Sequence, residues 1–175
     1  MCALGAGCIL PQDLTTEKTL TKLDPPRFVR EKIVPGDDKP AVLTFGLSAN
    51  PPCHIPLEVQ RIRSADAAAN LEARWWIDYV DNNSAVAAPR HFNTLPGSHD
   101  PLAIERNGPT FDIDVGLLGN VAGATHVVEL ILAHENAWDP KFPGTRALLI
   151  PDDAVSFRWV INVTSGSECG VGAAP

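Results

Sequence analysis

What this chain of 175 residues lacks narrows it first. Positive charge is scarce: 14 Lys and Arg stand against 21 Asp and Glu, a formal net charge of −7 at pH 7. Such a surface repels phosphate backbones, so nucleic acid is excluded as an expected partner. No apolar run reaches the ~20 residues that a membrane helix needs, so any membrane attachment is expected to be covalent or through a partner. The C-x-x-C spacing is absent, which removes the zinc and thioredoxin-like readings of cysteine. A G-x-S-x-G motif is absent too, and no Ser, His and Asp trio recommends itself. The chain is therefore read as a non-enzyme.

Helix breakers, by contrast, are plentiful. The 16 prolines and 13 glycines argue against a helical bundle and for short strands joined by turns. Apolar residues alternate accordingly. Residues 27–34 and 41–48 read as strands, the second with Leu43, Phe45 and Leu47 on one face. Residues 56–64 are more polar and read as an edge. In 71–80, Leu71, Ala73, Trp75, Ile77 and Tyr79 share one face, and Glu72, Arg74, Trp76 and Asp78 the other. In 110–119, Phe111, Ile113, Val115 and Leu117 alternate with Asp112 and Asp114. The run 124–135 is apolar at nearly every position, as for a strand covered on both sides. In 155–163, Val155, Phe157, Trp159, Ile161 and Val163 point inward. About seven such runs, separated by Pro-, Gly-, Asp- and Asn-rich turns, predict an all-β fold, an antiparallel two-sheet sandwich. The pattern resembles the immunoglobulin-like and fibronectin-type domains of bacterial surface proteins in architecture, although the intersheet Cys–Trp–Cys spacing of antibody domains is absent. Residues 87–108 read as one long connection, of a kind that is often functional or caps a sandwich end.

The opening "MCALGAGCILPQ" carries small residues up to a cysteine. Leu4-Gly5-Ala6-Gly7-Cys8 resembles the lipobox of bacterial lipoproteins, with Ala6 and Gly7 in the usual places and the expected Leu one position further upstream. The resemblance implies a signal peptide, a diacylglycerol thioether on Cys8 and export. Seven residues are too few for the basic and apolar parts of a signal, so these are expected further upstream. Ile9 after the cysteine, rather than Asp, goes with the outer membrane in lipoproteins of this type. The plain alternative is an unstructured N-terminus with incidental cysteines. The expected organisation is a signal remnant (1–7), a lipidated extended tether (8–26), a β-sandwich domain (27–170) and a flexible tail (171–175). The tether's ~16 polar residues reach roughly 50 Å when extended.

With Cys2 removed and Cys8 lipidated, Cys53 and Cys169 remain as a pair. A disulfide between them would close a long loop and fasten the C-terminus, worth ~4 kcal/mol on the chain-entropy model, and needs an oxidising compartment.

Candidate chemistry elsewhere is thin. His54, His91, His99, His126 and His134 are scattered. His126 and His134, eight residues apart in one strand, stand roughly 26 Å apart, too far for one ion to bridge with Asp139. Asp78, Asp81, Asn82 and Asn83 offer oxygen ligands but lack the D-x-[DN]-x-[DN]-G spacing and read as turn formers. The pairs Asp37-Asp38 and Asp152-Asp153 read as solvated turn residues rather than glycosidase carboxylates. No metal and no cofactor beyond the lipid are expected. The candidate binding surface is aromatic: Trp76 on the outward face of its strand, and Trp138 with Phe142 in the loop "NAWDPKFPG". The expected function is protein binding or assembly as an envelope lipoprotein, on the periplasmic or outer side of the outer membrane. The alternatives are a carbohydrate-binding module that stacks sugars on exposed Trp and an unrecognised hydrolase.

Overall fold

The structure, a computed structural model, describes residues 24–35, 41–47, 53–79, 88–119, 121–142, 145–167 and 169–170. Cys2, Cys8, the tether up to residue 23, Asp37-Asp38, Asp81, Asn82, Asn83 and the 171–175 tail lie outside the described residues. The described chain is built almost wholly of strands: β1 (Arg27–Phe28), β2 (Ile33–Val34), β3 (Ala41–Gly46), β4 (His54–Val59), β5 (Arg61–Arg63), β6 (Leu71–Ile77), β7 (His91–Leu95), β8 (Glu105–Asn107), β9 (Thr110–Asp114), β10 (Thr125–His134), β11 (Ala154–Thr164) and β12 (Cys169–Gly170). Its one α-helix, α1 (Val115–Leu118), is a single turn.

Six strands form one sheet in the order β12-β3-β11-β10-β6-β7. The others form two three-stranded sheets, β1-β5-β8 and β2-β4-β9, whose strands run on from one another along the chain. Gln60 joins β4 to β5, and Gly108-Pro109 joins β8 to β9. At this joint the Gln60 amide donates to the Lys32 carbonyl at 2.7 Å, the Val59 amide to Pro109 at 3.0 Å and the Gly108 amide to Gln60 at 3.3 Å. The two strand pairs cross so closely here that a Cβ on Gly108 would lie 1.8 Å from the Val59 carbonyl oxygen.

One core joins the inner faces. Leu71, Ala73 and Trp75 of β6, Val128, Leu130 and Leu132 of β10, and Trp159, Ile161 and Val163 of β11 meet Ile55, Leu57, Val59, Ile62, Phe111 and Ile113 of the smaller sheets. Trp75 stacks on Trp159 with ring centroids 5.5 Å apart and meets Phe111, tilted, at the same distance. Both buried indoles have hydrogen-bond partners, as such groups require. Trp75 Nε1 donates to Asn93 Oδ1, and Trp159 Nε1 to the Pro35 carbonyl, each at 2.9 Å.

Several sequence expectations need correction. Residues 27–34 form two short strands rather than one, because the exposed charged run Arg30–Lys32 bows out as a 3-10 turn. Residues 56–64 lie on the middle strands of the smaller sheets, not at an edge. Their inward side chains Leu57, Val59 and Ile62 are fully buried, as is Ser64 at the end of the run, while Gln60, Arg61 and Arg63 are exposed. The connection 87–108 contains β7 and β8. Beyond β9, Asp114 caps α1 by accepting from the Leu117 amide at 3.1 Å; the strand therefore ends, Leu117 is exposed, and Leu118 turns inward instead. The sheet is not purely antiparallel either, since β3 runs parallel to β11, with Ala41 opposite Trp159 and Gly46 opposite Thr164. Alternation fixes which face a strand buries, not its direction.

Gly108→Ala should destabilise the domain by about 1–3 kcal/mol, since the new methyl overpacks backbone that cannot yield. Urea unfolding checks this; a midpoint equal to that of the unsubstituted protein would contradict the crossing geometry.

Candidate functional site

The outer face of the large sheet carries a second, smaller cluster. On β10, Val128, Leu130 and Leu132 join the main core while Ile131 and Ala133 face away from it. The register sets Trp76 of β6 beside Glu129 and Arg74 beside Ile131. The connection 135–153 then folds back over this face. A 3-10 turn (Glu135–Ala137) leads into a bridge between Trp138 and Leu148. The Asp139 amide donates to Ala147 at 3.1 Å, and the Leu149 amide to Ala137 at 2.8 Å. Trp138 packs on Trp76 with centroids 6.1 Å apart. The Arg74 guanidinium lies 4.0 Å over the Trp138 ring and donates to the Thr145 carbonyl at 3.1 Å.

This arrangement corrects the aromatic expectation. Trp76 points away from the main core, as its strand position requires, yet is only 1% exposed, and Trp138 only 4%. Trp75 and Trp159 are fully buried, so all four tryptophans of the chain lie inside and no indole is free to stack on a sugar. Phe142 keeps the expected position at 55% exposed, and Leu149 and Ile150 of the same connection are exposed with it. Tyr79 departs from the inward face. Asp78 adopts φ +52°, a left-handed conformation that Asp tolerates better than most residues, and the strand ends there. Tyr79 is thereby delivered to Trp76, with centroids 6.1 Å apart.

Between these elements lies a groove of about 340 Å³, lined by Asp78, Tyr79, Val127, Glu129, Arg146 and Arg158. Its floor is the Glu129 carboxylate, 4% exposed. Arg146 Nη2 donates to Glu129 Oε1 at 2.9 Å, and Arg158 Nε to the same oxygen at 2.8 Å. Arg146 also lies 5.0 Å from the centre of the Tyr79 ring. At the rim, Asp78 Oδ1 accepts from the Val127 amide at 2.8 Å, and its other oxygen meets His126 Nδ1 at 2.5 Å. Among the described residues no three His, Cys, Asp or Glu side chains converge on a metal position. Alternation does not single out Glu129, although a charge inside an apolar run must be either misplaced or paired.

A second polar cluster closes one end of the main core. His134, the last residue of β10, and Asp153, just before β11, are each 5% exposed. Among the described residues neither ring nitrogen of His134 has a hydrogen-bond partner, and nor does Asp153 Oδ1; Asp153 is thus not the solvated turn residue expected from its pairing with Asp152. Burial holds the His134 imidazole below its usual pKa, against the pull of Asp153 and Asp66, while Arg106 adds to the lowering. Burial likewise lowers Arg106, opposed by Asp66. On the exposed side of the β5–β8 pair, hydrogen bonding to Arg63 holds the Glu105 carboxyl below the ordinary range.

Cys53 is 2% exposed and disulfide-bonded, its Sγ 3.5 Å from the Gly46 carbonyl oxygen. The Cys169 backbone pairs with Phe45, next to Gly46, and its side chain lies outside the described residues.

The Glu129 cluster makes a quantitative prediction. Arg146→Met or Arg158→Met alone should cost about 1 kcal/mol, since the other guanidinium still holds the carboxylate. Both together should cost about 3 kcal/mol or more, because a buried charge is left unpaired. Chemical denaturation of the four proteins in the cycle should give a coupling above roughly 1 kcal/mol; simple additivity would mean that the two arginines do not share one task.

No protein-family model, curated protein or solved structure matches this chain.

Proposed function

We propose that the chain is a non-catalytic exported lipoprotein, anchored through a lipid on Cys8, whose β domain serves as a protein-binding or assembly subunit of the cell envelope at the outer membrane. The observation that carries the binding role is the 135–153 connection. It is fixed to the sheet by Trp138, Arg74 and Arg146, yet it presents Phe142 at 55%, Leu149 at 56% and Ile150 at 39% exposed. Apolar side chains held on a rigid support meet a partner with little ordering cost, and the adjoining groove supplies polar contacts. The finer fold reading, an immunoglobulin-like sandwich, belongs to the same proposal and is supported by the single core shared between the sheets. The partner of Cys53 is proposed to be Cys169, supported by the pairing of β12 with β3 beside the Cys53 sulfur. A bridge there needs an exported, oxidising setting. The lipid anchor rests on the LGAGC resemblance.

Protein purified from its native host should be heavier than its sequence by a lipid adduct on the peptide that begins at Cys8, and Cys8→Ala should leave the membrane fraction. An unmodified Cys8 in a membrane-free protein refutes the anchor. Non-reducing peptide mapping should join Cys53 to Cys169. Phe142→Asp with Leu149→Asp should abolish crosslinks to envelope proteins in intact cells without shifting the unfolding midpoint by more than about 0.5 kcal/mol; retained crosslinks would move the docking face elsewhere.

A further inference from the structure

The connection that carries Trp138 and covers Trp76 begins after His134 and ends at Asp153. Along β10 and β11 the register runs from Thr125 opposite Asn162 to Ala133 opposite Ala154. The ladder stops there: His134, the last residue of β10, and Asp153, the last residue of a 3-10 turn (Pro151–Asp153), stand just beyond it at the two ends of the connection. His134 continues the inward series Leu130 and Leu132 and so turns toward the main core rather than the outer cluster, and Asp153 is close enough to act on its charge. Both are buried, and three of their polar atoms are shielded from water without a hydrogen bond. Such groups are rare in folded proteins and call for a reason. An ionisable ring buried at this root without a hydrogen bond to the described residues favours parting of the root when the ring charges.

We infer that His134 and Asp153 form an acid-sensitive latch: at neutral pH they hold the described parts of the connection, 135–142 and 145–153, closed over Trp76 with Trp138 seated on it, and protonation of His134 releases them.

The groups facing the ring set the direction. Asp153 at the foot of β11 and Asp66 between β5 and β6 favour a charged ring. Arg106 of β8 opposes it, and burial opposes it most. From β6 the register partner of His134 is the neutral Leu71. The imidazole is therefore less basic in the closed form than in an opened one. Closure is fully favoured above the ordinary imidazole range and is lost as the pH falls through it. The neighbouring ties help to localise the response. The Glu135 amide donates to the Asn70 carbonyl at 3.0 Å, Asn70 Nδ2 to Glu135 Oε2 at 3.1 Å, and the Gly97 amide to Asn70 Oδ1 at 2.9 Å. The start of β6 and the turn after β7 are thus stitched to the same root, while the middles of β10 and β11 are held by their own ladder.

Amide hydrogen exchange on the intact protein tests this, at pH 7.5 and pH 5.0, with each rate corrected for intrinsic pH dependence. Opening of amides in 135–150 should increase by about fivefold or more at the lower pH, the size of an ordinary coupling, while the central amides of β10 and β11 stay unchanged. Tryptophan emission should move to the red over the same interval. In His134→Gln, or in His134→Leu should the first variant fail to fold, both responses should vanish, whereas His126→Gln should retain them. An unchanged 135–150 exchange in the unsubstituted protein overturns the latch. So does an acid response that survives removal of the His134 ring, or one spread evenly over every strand.

Discussion

Water must be kept off both faces of the same strands. At the middle of the six-stranded sheet, β6 and β10 carry large apolar side chains inward and outward alike, so one layer of cover is not enough. The smaller sheets supply the inner cover, and Trp75, in contact with both Trp159 and Phe111, transmits their packing across the core. The outer cover has to come from somewhere else, and the chain takes it from the connection between β10 and β11. A single stretch of backbone thus becomes both a roof for Trp76 and a display for Phe142 and Leu149. Its position follows from burial, and its usefulness from what is left over.

Electrostatics on that outer face obey the same constraint. A carboxylate at the centre of a covered sheet is costly unless it is paired and hydrogen-bonded. Glu129 meets this condition with two guanidiniums, one from the next strand and one from the covering connection. Arg74 serves similarly by lying on the Trp138 ring while bonding the connection's backbone. In a chain with an excess of seven negative charges, three arginines are drawn to one face. They join the cover to the sheet with directional bonds that packing alone would not provide, and they give the groove its polar floor.

How far the sequence revealed this can be followed residue by residue. Alternation correctly gave the inward sets of β3, β6, β9 and β11 and the outward direction of Trp76. It failed on exposure, because direction on a strand says nothing about what lies above it. The clue is the nearly continuous apolar run of β10, interrupted by Glu129 and buried from Val128 to His134. Since β10 is the neighbour of β6, whatever covers one covers the other, but that adjacency is tertiary and cannot be found by periodicity. β7 and β8 were missed for a different reason: "HFNTL" and "ERN" bury little, so they carry no apolar rhythm. The parallel course of β3 beside β11 left no mark either, since strand direction is set by the route of the chain and not by the side chains. Among the polar groups, His134 reads in the sequence as one of five scattered histidines and Asp153 as half of a solvated turn pair with Asp152. Both are 5% exposed instead, and their proximity is tertiary.

The parallel pairing also bears on how such a molecule is made. Thr164 Oγ1 donates to the Phe45 carbonyl across 119 residues of sequence, and Trp159 Nε1 reaches Pro35 across 124. β3 has no lateral partner in the described sheet until β11 and β12 exist. A chain threaded front end first through a narrow pore would therefore hold β3 unpaired until β11 had crossed, while β1, β2, β4 and β5 would already find partners in one another and in β8 and β9. Completion of the large sheet would come late, and would itself keep the polypeptide from slipping back.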